Sequence, residues 1–199
     1  MIDIQNKERL VIVGYQEATI TNDFISIISE ELDKSRITVI NPKDLIPNSD
    51  VAYIISITRD INERKKVIDK LAGYTFATFV HNSVVRPENC IIGEGTFISP
   101  FSSIFYNATL SSHCIIGPYS MISHNAVVGT GSIIHPGVMI AGGSQIGNFC
   151  LLGIRSTIID KITICDNVFV GAGALVTKNI IESGNYIGTP CRKVPHETN

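Results

Sequence analysis

Three histidines recur at a constant interval along the chain, as His113, His124 and His135. An imidazole titrates near neutral pH, so each of them could transfer a proton or bind a transition metal. A zinc ion needs its ligands about 2 Å from one point, whereas a catalytic histidine needs only an accessible position beside the reacting atoms. Which chemistry is available therefore depends on how the intervening chain positions the three rings.

A six-residue period in the C-terminal half of the chain indicates its fold. From Ile92 to Val176 every sixth residue is Ile, Leu or Val, and the residues four places further along, such as Ala108, are mostly small. An interval of six is typical of a hexapeptide β-helix. Residues an even number apart on a short strand can both point inward and stack in columns. Glycines that directly follow the branched residues, such as Gly117 and Gly153, are expected to form the corners.

Three strands per coil would give about 18 residues per turn, so the repeat region would hold about five coils. Residues one turn apart would then be stacked neighbours about 4.8 Å from each other, which places Tyr106, His124 and Gly142 in one column. His124 lies at a corner of the coil, where its ring is expected to be accessible. His113 and His135 belong to two other columns. Because the three rings are spread around the coil, we expect no metal site.

The segment 1–80 follows a different pattern, in which short apolar runs alternate with amphipathic segments. Thr21 or Asn22 is the expected N-cap of the first helix. Alternating strands and helices imply a small parallel sheet, and hence a Rossmann-like α/β domain (1–80) before the β-helix (81–180) and a C-terminal cap (181–199). The predicted elements are strands at Leu10–Val13, Ile37–Ile40, Val51–Ile57 and Phe76–Val80 and helices at Asp23–Asp33 and Arg59–Leu71.

Composition and charge argue against several classes of protein. The 199 residues carry a net charge of −2, which gives no reason to expect a nucleic-acid partner. No apolar stretch approaches the roughly 20 residues of a membrane span, and the polar segment Met1–Arg9 is unlike a secretory signal. The five cysteines contain no closely spaced pair, so we expect buried thiols in a reducing cytoplasm.

Several short motifs resemble one family of enzymes. The fold together with these motifs resembles the bacterial sugar acyltransferases of the left-handed β-helix superfamily. Within that superfamily the chain is most similar to the sialic-acid O-acetyltransferase and UDP-amino-sugar (bacillosamine-type) N-acetyltransferase family. The motifs are Val80-His81-Asn82-Ser83, Ser123-His124-Asn125-Ala126-Val127-Val128-Gly129, Ala141-Gly142-Gly143, Gly171-Ala172-Gly173-Ala174 and Gly188-Thr189-Pro190-Cys191-Arg192-Lys193.

The resemblance implies a left-handed coil and a homotrimer that binds acetyl-CoA, as co-substrate, in clefts between adjacent subunits. The amino sugar would lie between the α/β domain, as substrate-binding domain, and the acyltransferase β-helix. The implied reaction is the transfer of an acetyl group to the amine of a nucleotide-linked amino sugar in cell-surface glycan biosynthesis. Two alternatives remain open at this point, namely O-acetylation of a sialic-acid-like sugar or another hydroxyl, and a non-catalytic hexapeptide scaffold.

The catalytic residues that the resemblance implies lie in the column through His124. His124 matches the family's catalytic histidine and would act as the general base. The backbone N–H of Gly142 is the candidate oxyanion donor, although a corner glycine needed only for its backbone angles is the alternative reading. Family members often place an acidic residue after the histidine, whereas this chain has Asn125. An amide can orient an imidazole by hydrogen bonding but cannot offset the imidazolium charge.

Two further groups of residues are candidates for ligand binding. A strip of small residues, Gly153, Gly171, Ala172 and Gly173, could accommodate the pantetheine arm, and Gly142 and Gly143 are further candidates for cofactor binding. The basic residues Lys178, Arg192 and Lys193 could bind the CoA phosphates. Each basic residue could equally be a solvated surface charge. For the sugar nucleotide we expect Gly14, Tyr15, Arg59, Asp60 and Tyr106. The first strand is followed by Gly14-Tyr15-Gln16-Glu17, which keeps only the first glycine of the family's turn and adds a negative charge.

Overall fold

The N-terminal unit is a small parallel sheet with two α-helices. The computed structural model describes residues 2–3 and 7–195. The three central strands pair in parallel in the order β3-β2-β4. The elements of this unit are β1 (Ile2–Asp3), β2 (Arg9–Val13), α1 (Thr19–Ile28), β3 (Ile37–Ile40), β4 (Val51–Ile55), α2 (Ile61–Lys70) and β5 (Thr78–Val80), with 3-10 helices at Lys34–Arg36 and Pro42–Asp44.

The first helix begins earlier than the sequence predicts. Helix α1 starts at Thr19 after Ala18, which makes no side-chain cap, so the expected cap at Thr21 or Asn22 is wrong. The reason is that Thr21 lies inside the helix and is buried, with its hydroxyl 3.0 Å from that of Ser56. Helix α2 follows the prediction closely. Its N-cap is Asp60, whose carboxylate accepts a hydrogen bond from the backbone N–H of Glu63.

The strand predicted at Phe76–Val80 leaves the N-terminal sheet. Phe76 makes a single parallel bridge to Tyr53 of β4. Strand β5 then pairs in parallel with the first coil of the repeat region, Phe79 opposite Phe97. The last strand of the segment 1–80 is therefore the first layer of the β-helix, and the chain passes from one unit to the other without a linker.

The repeat region consists of short strands separated by four-residue turns. Within the coils each strand pairs in parallel with the corresponding strand of the next coil, for example Ile116 with Ile134. The last strand, Cys191–Val194, instead pairs antiparallel with Gly184–Gly188. The strands are β6 (Ile91–Ile92), β7 (Phe97–Ile98), β8 (Ser103–Ile104), β9 (Thr109–Leu110), β10 (Ile115–Ile116), β11 (Met121–Ile122), β12 (Val127–Val128), β13 (Ile133–Ile134), β14 (Met139–Ile140), β15 (Gln145–Ile146), β16 (Leu151–Leu152), β17 (Thr157–Ile158), β18 (Thr163–Ile164), β19 (Val168–Val170), β20 (Leu175–Val176), β21 (Gly184–Gly188) and β22 (Cys191–Val194).

These strands form the three faces of a prism. The first face contains β7, β10, β13, β16 and β19, extended by β5 at one end and by β21 and β22 at the other. The second face contains β8, β11, β14, β17 and β20, and the third contains β6, β9, β12, β15 and β18. The prediction of a mainly β protein with a parallel β-helix is thus confirmed. There are about six turns rather than five, because β5 and β21 continue the stack beyond the hexads.

The two inward columns pack as the hexads predict. Of the branched residues, Ile116, Ile134 and Leu152 are completely buried. Buried serines of the small column donate to carbonyl groups of the next coil, as Ser102 does to that of Gly117 at 3.0 Å and Ser132 to that of Gly147 at 2.8 Å. The hydroxyl of Ser156, in the same column, has no hydrogen-bond partner among the described residues. A buried hydroxyl that keeps a hydrogen bond avoids a desolvation penalty of about 1–3 kcal/mol. All five cysteines are free.

The turns form three corners, and only some of them use glycine as predicted. Corner 1 contains 100–101, 118–119, 136–137, 154–155 and 172–173. Corner 2 contains 88–89, 106–107, 124–125, 142–143, 160–161 and 178–179. Corner 3 contains 94–95, 112–113, 130–131, 148–149 and 166–167. From 94–95 to 172–173 the second residue of each pair has left-handed backbone angles, for example Asn125 with φ 56° and Gly143 with φ 67°. Gly117 and Gly153 do not have left-handed backbone angles. They are needed because a Cβ atom would lie 2.6 Å from the backbone of the next coil.

The N-terminal unit covers the first face of the prism. Phe24 of α1 stacks on Phe97 of β7 with ring centroids 3.9 Å apart, and Ile115 and Ile133 join the same apolar cluster. Arg64 of α2 is completely buried and donates to carbonyl groups of both units. Within the described residues, no helix combines the length and the apolar character required to cross a lipid bilayer.

Candidate active site

The His124 side chain is exposed at corner 2. The backbone of the same turn fixes the position of the next residue, Asn125. Asn125 has left-handed backbone angles, and its N–H donates to the Tyr106 carbonyl of the preceding coil at 2.9 Å. The side-chain nitrogen of Asn125 lies 3.1 Å from Nδ1 of His124. The other ring nitrogen, Nε2, is therefore the one that remains for a reacting group.

The His124 ring lies directly against the backbone of Gly142, as the interval of one coil predicts. A Cβ atom on Gly142 would be 2.5 Å from Cε1 and 2.6 Å from Nε2 of the imidazole. The left-handed residue of this turn is Gly143, so the alternative that Gly142 is needed only for its backbone angles is not supported. Position 142 must be glycine for this ring placement because any side chain would displace the imidazole.

The N–H of Gly142 already holds an anionic oxygen. It donates to a carboxylate oxygen of Asp160, which lies one coil further along corner 2, at 3.2 Å. This N–H can therefore bind a negatively charged oxygen beside the imidazole, and an oxyanion would have to displace Asp160 to use it. No role for Asp160 follows from its residue type alone. Its membership of the His124 column is the signal that identifies it.

We expect Gly142→Ala to reduce turnover by about 10- to 100-fold, because displacing a catalytic group by about 1 Å has effects of this size. Steady-state release of CoA would measure it. In a His124→Gln background the same change is expected to cost little further activity, since the ring that it displaces is already gone. An equal loss in both backgrounds would show that Gly142 acts independently of His124.

The small residues predicted for cofactor binding lie at two different corners. Gly142 and Gly143 lie at corner 2, whereas Gly153, Gly171 and Ala172 lie at or beside corner 1. Gly153 and Gly171 each face the next coil, where a Cβ atom would meet Ala172 and Ile187 respectively. The second face separates the two groups, so one chain does not align all five residues along a single edge.

The three basic residues predicted for phosphate binding are close together. Lys178, Arg192 and Lys193 line one cavity of about 310 Å³ near the end of the β-helix. The ammonium group of Lys193 lies 2.9 Å from a carboxylate oxygen of Glu182. This hydrogen bond raises the pKa of Lys193 and lowers that of Glu182. Lys193 is thus committed in part to a surface ion pair, and a phosphate would have to compete with Glu182.

The residues predicted for the sugar nucleotide separate into two groups. Tyr15, Arg59 and Asp60 line a cavity of about 370 Å³ at the carboxyl ends of β2 and β4, together with Glu17, which is where ligands bind in parallel sheets. Gly14 lies behind this cavity, and a Cβ atom there would overlap the Ser56 hydroxyl. Tyr106 is at corner 2, in the column of His124 and away from this cavity.

Side chains in the N-terminal cavity are linked to α2. The Tyr15 hydroxyl donates to the carboxylate of Glu63, and this hydrogen bond raises the pKa of Tyr15 to about 12. Tyr15 therefore stays protonated at neutral pH. Asp60, expected to contact substrate, also accepts the capping hydrogen bond of α2. The cavity thus contains a neutral phenol, the Arg59 guanidinium and two carboxylates, Glu17 and Asp60.

The three regularly spaced histidines lie at three different corners. His113 is buried at corner 3, and burial, followed by the charge of Arg64, lowers its pKa to about 4. His135 is partly buried at corner 1, and burial with the charge of Arg59 lowers its pKa. Among residues 2–3 and 7–195 there is no group of three or more His, Cys, Asp or Glu side chains placed to hold a metal ion.

Comparison with known proteins identifies the repeats and the fold. The family model "Bacterial transferase hexapeptide (six repeats)" matches residues 107–142 and 143–178. The acetyltransferase domain of PglB from Neisseria gonorrhoeae, solved with acetyl coenzyme A, superimposes with a TM-score of 0.83 at 16% identity, covering 95% of this chain and 100% of that one. PerB from Caulobacter crescentus, solved with CoA and GDP-perosamine, gives 0.81 at 20% identity, covering 97% and 100%.

WeeI from Acinetobacter baumannii gives a TM-score of 0.68 at 17% identity, covering 94% of this chain and 99% of that one. The resemblance inferred from the hexads and motifs is thus confirmed as a likeness of fold over nearly the whole chain. Residues 107–178 thus carry the repeats of the bacterial transferase hexapeptide model, and the chain has the fold of the PglB acetyltransferase domain and of PerB.

Proposed function

We propose that this protein transfers an acetyl group from acetyl-CoA to the amine of a nucleotide-linked amino sugar in cell-surface glycan biosynthesis. The observation that carries the proposal is the contact between the exposed His124 ring and the Gly142 backbone. It is supported by the similar structures, since PglB was solved with acetyl coenzyme A and PerB with CoA and GDP-perosamine. The site would work in the cytoplasm, where free thiols such as those of this chain persist.

His124 acts as the general base in this proposal. The sugar amine attacks the thioester carbon, and Nε2 of His124 takes the proton that the nitrogen loses. The carbonyl oxygen becomes an oxyanion, which displaces Asp160 from the N–H of Gly142. When the C–S bond breaks, the proton passes from His124 to the departing sulfur, so that free CoA and the N-acetyl sugar leave. Asn125 holds the opposite ring nitrogen throughout.

CoA lies along the surface between the corners in this proposal. The backbone at Gly142 and Gly143 and the small residues Gly153, Gly171 and Ala172 of an adjacent chain form the two walls of the pantetheine cleft. The basic cavity of Lys178, Arg192 and Lys193 receives the phosphates. Because these small residues lie at two different corners, they fit a cleft between two chains better than a groove on the surface of one chain.

The acceptor cavity of one chain and its own His124 lie on opposite sides of the prism. The N-terminal unit packs on the first face, whereas corner 2 joins the second and third faces and is opposite to it. We therefore place the cavity of one subunit against corner 2 of the next, in a homotrimer with three equivalent sites. Residues 1–80 then form an abbreviated Rossmann-like substrate domain, 81–180 a left-handed acyltransferase β-helix, and 181–199 its cap.

A second candidate reaction is O-acetylation of a sialic-acid-like sugar or another hydroxyl. The observation that favours it is Glu17 in the N-terminal cavity, beside Asp60. Two carboxylates disfavour the diphosphate of a sugar nucleotide, and Arg59 offsets only one of them.

Release of CoA from acetyl-CoA in the presence of a panel of acceptors would distinguish these reactions. Nucleotide-linked amino sugars are expected to be acetylated and the corresponding hydroxyl sugars to be inert. The reverse order would establish the O-acetyltransferase. No release with any acceptor, combined with failure of acetyl-CoA to bind in a calorimeter, would leave a non-catalytic scaffold.

Mixed trimers test whether each site spans two subunits. His124→Ala removes the base, and Arg59→Glu reverses a charge in the acceptor cavity, so each variant alone is expected to be inactive. After unfolding and refolding in equal amounts, an intact cavity meets an intact His124 at about one quarter of the interfaces. Activity is then expected to recover to about one quarter of wild type, measured as CoA release. No recovery despite mixing would place the cavity and His124 of one chain in the same site.

A further inference from the structure

Three exposed asparagines form a hydrogen-bonded column that ends on His124. Asn89, Asn107 and Asn125 lie one coil apart from each other along corner 2. The side-chain nitrogen of Asn89 donates to the side-chain oxygen of Asn107 at 2.8 Å, and that of Asn107 donates to Asn125 at 3.4 Å. The nitrogen of Asn125 lies 3.1 Å from Nδ1 of His124. We call these three residues the asparagine ladder.

The backbone keeps the ladder in register. Asn107 and Asn125 have the same left-handed conformation, each with φ 56°, so their side chains leave the corner in the same direction. Each side-chain amide has a donor end, the NH2 group, and an acceptor end, the carbonyl oxygen. Between two neighbouring amides, the donor end of one must face the acceptor end of the other. The three amides therefore share one direction, and one of them cannot reverse alone without placing two donors or two acceptors together.

The direction of the ladder fixes the position of the proton on His124. With the amide N–H of Asn125 pointing at Nδ1, that nitrogen must accept, and a neutral ring then carries its proton on Nε2. Nε2 is the nitrogen beside Gly142. In this direction His124 presents an N–H to the reacting groups, whereas a general base needs a lone pair there.

If all three amides of the ladder reverse, Nε2 of His124 loses its proton to Nδ1 and can act as the base. If the oxygen of Asn125 accepts from Nδ1–H, its nitrogen donates to Asn107, whose nitrogen in turn donates to Asn89. The same three hydrogen bonds are kept, and all three side chains are exposed. The two directions therefore differ little in energy, so a small change at Asn107 or Asn89 can decide between them.

We propose that Asn107 and Asn89 are positioning residues that set the tautomer of His124 through Asn125. This inference deepens the proposed function, since the tautomer decides whether His124 can accept the proton of the acceptor amine. The proposal explains why an amide at position 125 differs in effect from a carboxylate. A carboxylate there would hold one tautomer permanently, whereas the ladder can adopt either.

The test is Asn107→Asp in the full-length protein. A carboxylate only accepts, so Asn125 has to donate to it and turn its oxygen toward Nδ1 of His124. The nitrogen chemical shifts of the imidazole, measured without acetyl-CoA or acceptor, are expected to show the proton on Nε2 in wild type and on Nδ1 in Asn107→Asp. The signals of His124 are identified by their loss in His124→Gln. The same protonated nitrogen in wild type and Asn107→Asp would overturn the proposal.

Two further variants separate the ladder from general effects of a new charge. Asn125→Asp accepts directly from Nδ1–H and is expected to give the same tautomer as Asn107→Asp. Asn167→Asp is the matched control, because Asn167 has the same left-handed geometry, with φ 57°, but lies at corner 3 away from His124. It is expected to leave the His124 shifts unchanged. A change of equal size in this control would mean that charge alone moves the proton, and the ladder would be wrong.

Turnover is the second measurement, and it distinguishes failure of the ladder from failure of the proposed reaction. Asn107→Asp is expected to match or exceed wild-type turnover at saturating substrates, and Asn107→Leu to lower it several-fold. If the tautomer switches but no acetyl transfer is found, the ladder stands and the proposed function fails. If acetyl transfer is found but the tautomer does not respond, the ladder fails alone.

Discussion

Replacing His124 with Gln is expected to slow acetyl transfer by about 10²- to 10⁴-fold, the usual contribution of a general base. Gln keeps a planar, hydrogen-bonding side chain over Gly142, but it cannot take the proton of the attacking amine. The KM for acetyl-CoA is expected to stay close to wild type, because the imidazole contacts the reacting atoms rather than the carrier. Steady-state release of CoA at saturating acceptor measures both quantities.

A second histidine supplies the control for His124. The amide of Gln cannot take the proton of the amine, so the low rate of the Gln variant is expected although the nearby carboxylate of Asp160 remains in place. His81→Gln is the matched control, since it removes a histidine that bonds Ser83 and Glu30 at the joint between the units. Equal rates for wild type and His124→Gln would remove His124 from the mechanism.

The hexads predict most of the prism and the core of the candidate site. A period of six fixes which residues point inward, and three strands per coil fix which residues are stacked neighbours. That was enough to place His124 beside Gly142, as the structure does. It was also enough to separate His113 and His135 from His124. These contacts are all between neighbouring coils at a constant interval, so a local pattern contains the information.

The corners were predicted less well. A glycine can be required by left-handed backbone angles or by close approach of the next coil, and the hexads do not distinguish these two reasons. Gly117 and Gly153 are there because the next coil passes close to their Cα atoms. The left-handed positions are elsewhere, and many of them carry ordinary side chains such as those of Tyr119 and Arg155. Repetition of one turn in each coil, with the hydrogen bonds of the stack, holds these residues in a conformation that an isolated chain disfavours.

Contacts between the two units have no period and were not predicted. Nothing in the order of residues indicates that β5 joins the prism, or that α1 lies against Phe97. The separation of the N-terminal cavity from His124 has the same origin. The columns state which residues share a corner, but they do not state which face the segment 1–80 covers. The proposal of a second chain at the site follows only when the covered face is known.

Arg64 shows how much of the joint depends on one unpredicted side chain. It is in α2 and is completely buried. Its guanidinium donates to the carbonyls of Ile55 and Ile57 in the N-terminal unit, at 2.9 and 3.2 Å. It also donates to two carbonyls of corner 3, those of Gly131, at 3.3 Å, and His113. Burial lowers the pKa of Arg64 to about 10, so it remains charged at neutral pH.

We expect Arg64→Met to lower the free energy of unfolding by about 3 kcal/mol, because up to four buried carbonyls lose a donor at about 1–3 kcal/mol each, partly offset by relief of the buried charge. Arg64→Lys is expected to lose part of this stability, since an ammonium group cannot span four carbonyls on two units. Lys66→Met, on an exposed position of the same helix, is the matched control. Urea unfolding at a fixed protomer concentration measures all three variants.

The sites at which hydrogen exchange increases distinguish a role of Arg64 in joining the two units from general destabilisation. If Arg64 joins the units, hydrogen exchange in Arg64→Met is expected to rise first in α2 and at corner 3, while the inward columns of the prism stay protected. Because Arg64 stays charged below its pKa of about 10, the loss of stability is expected to be constant between about pH 6 and 8. Stability within about 0.5 kcal/mol of the Lys66→Met control would contradict this role, since that is the range of ordinary surface substitutions. The N-terminal cavity would then owe its position on the first face mainly to the apolar cluster of Phe24, Phe97, Ile115 and Ile133.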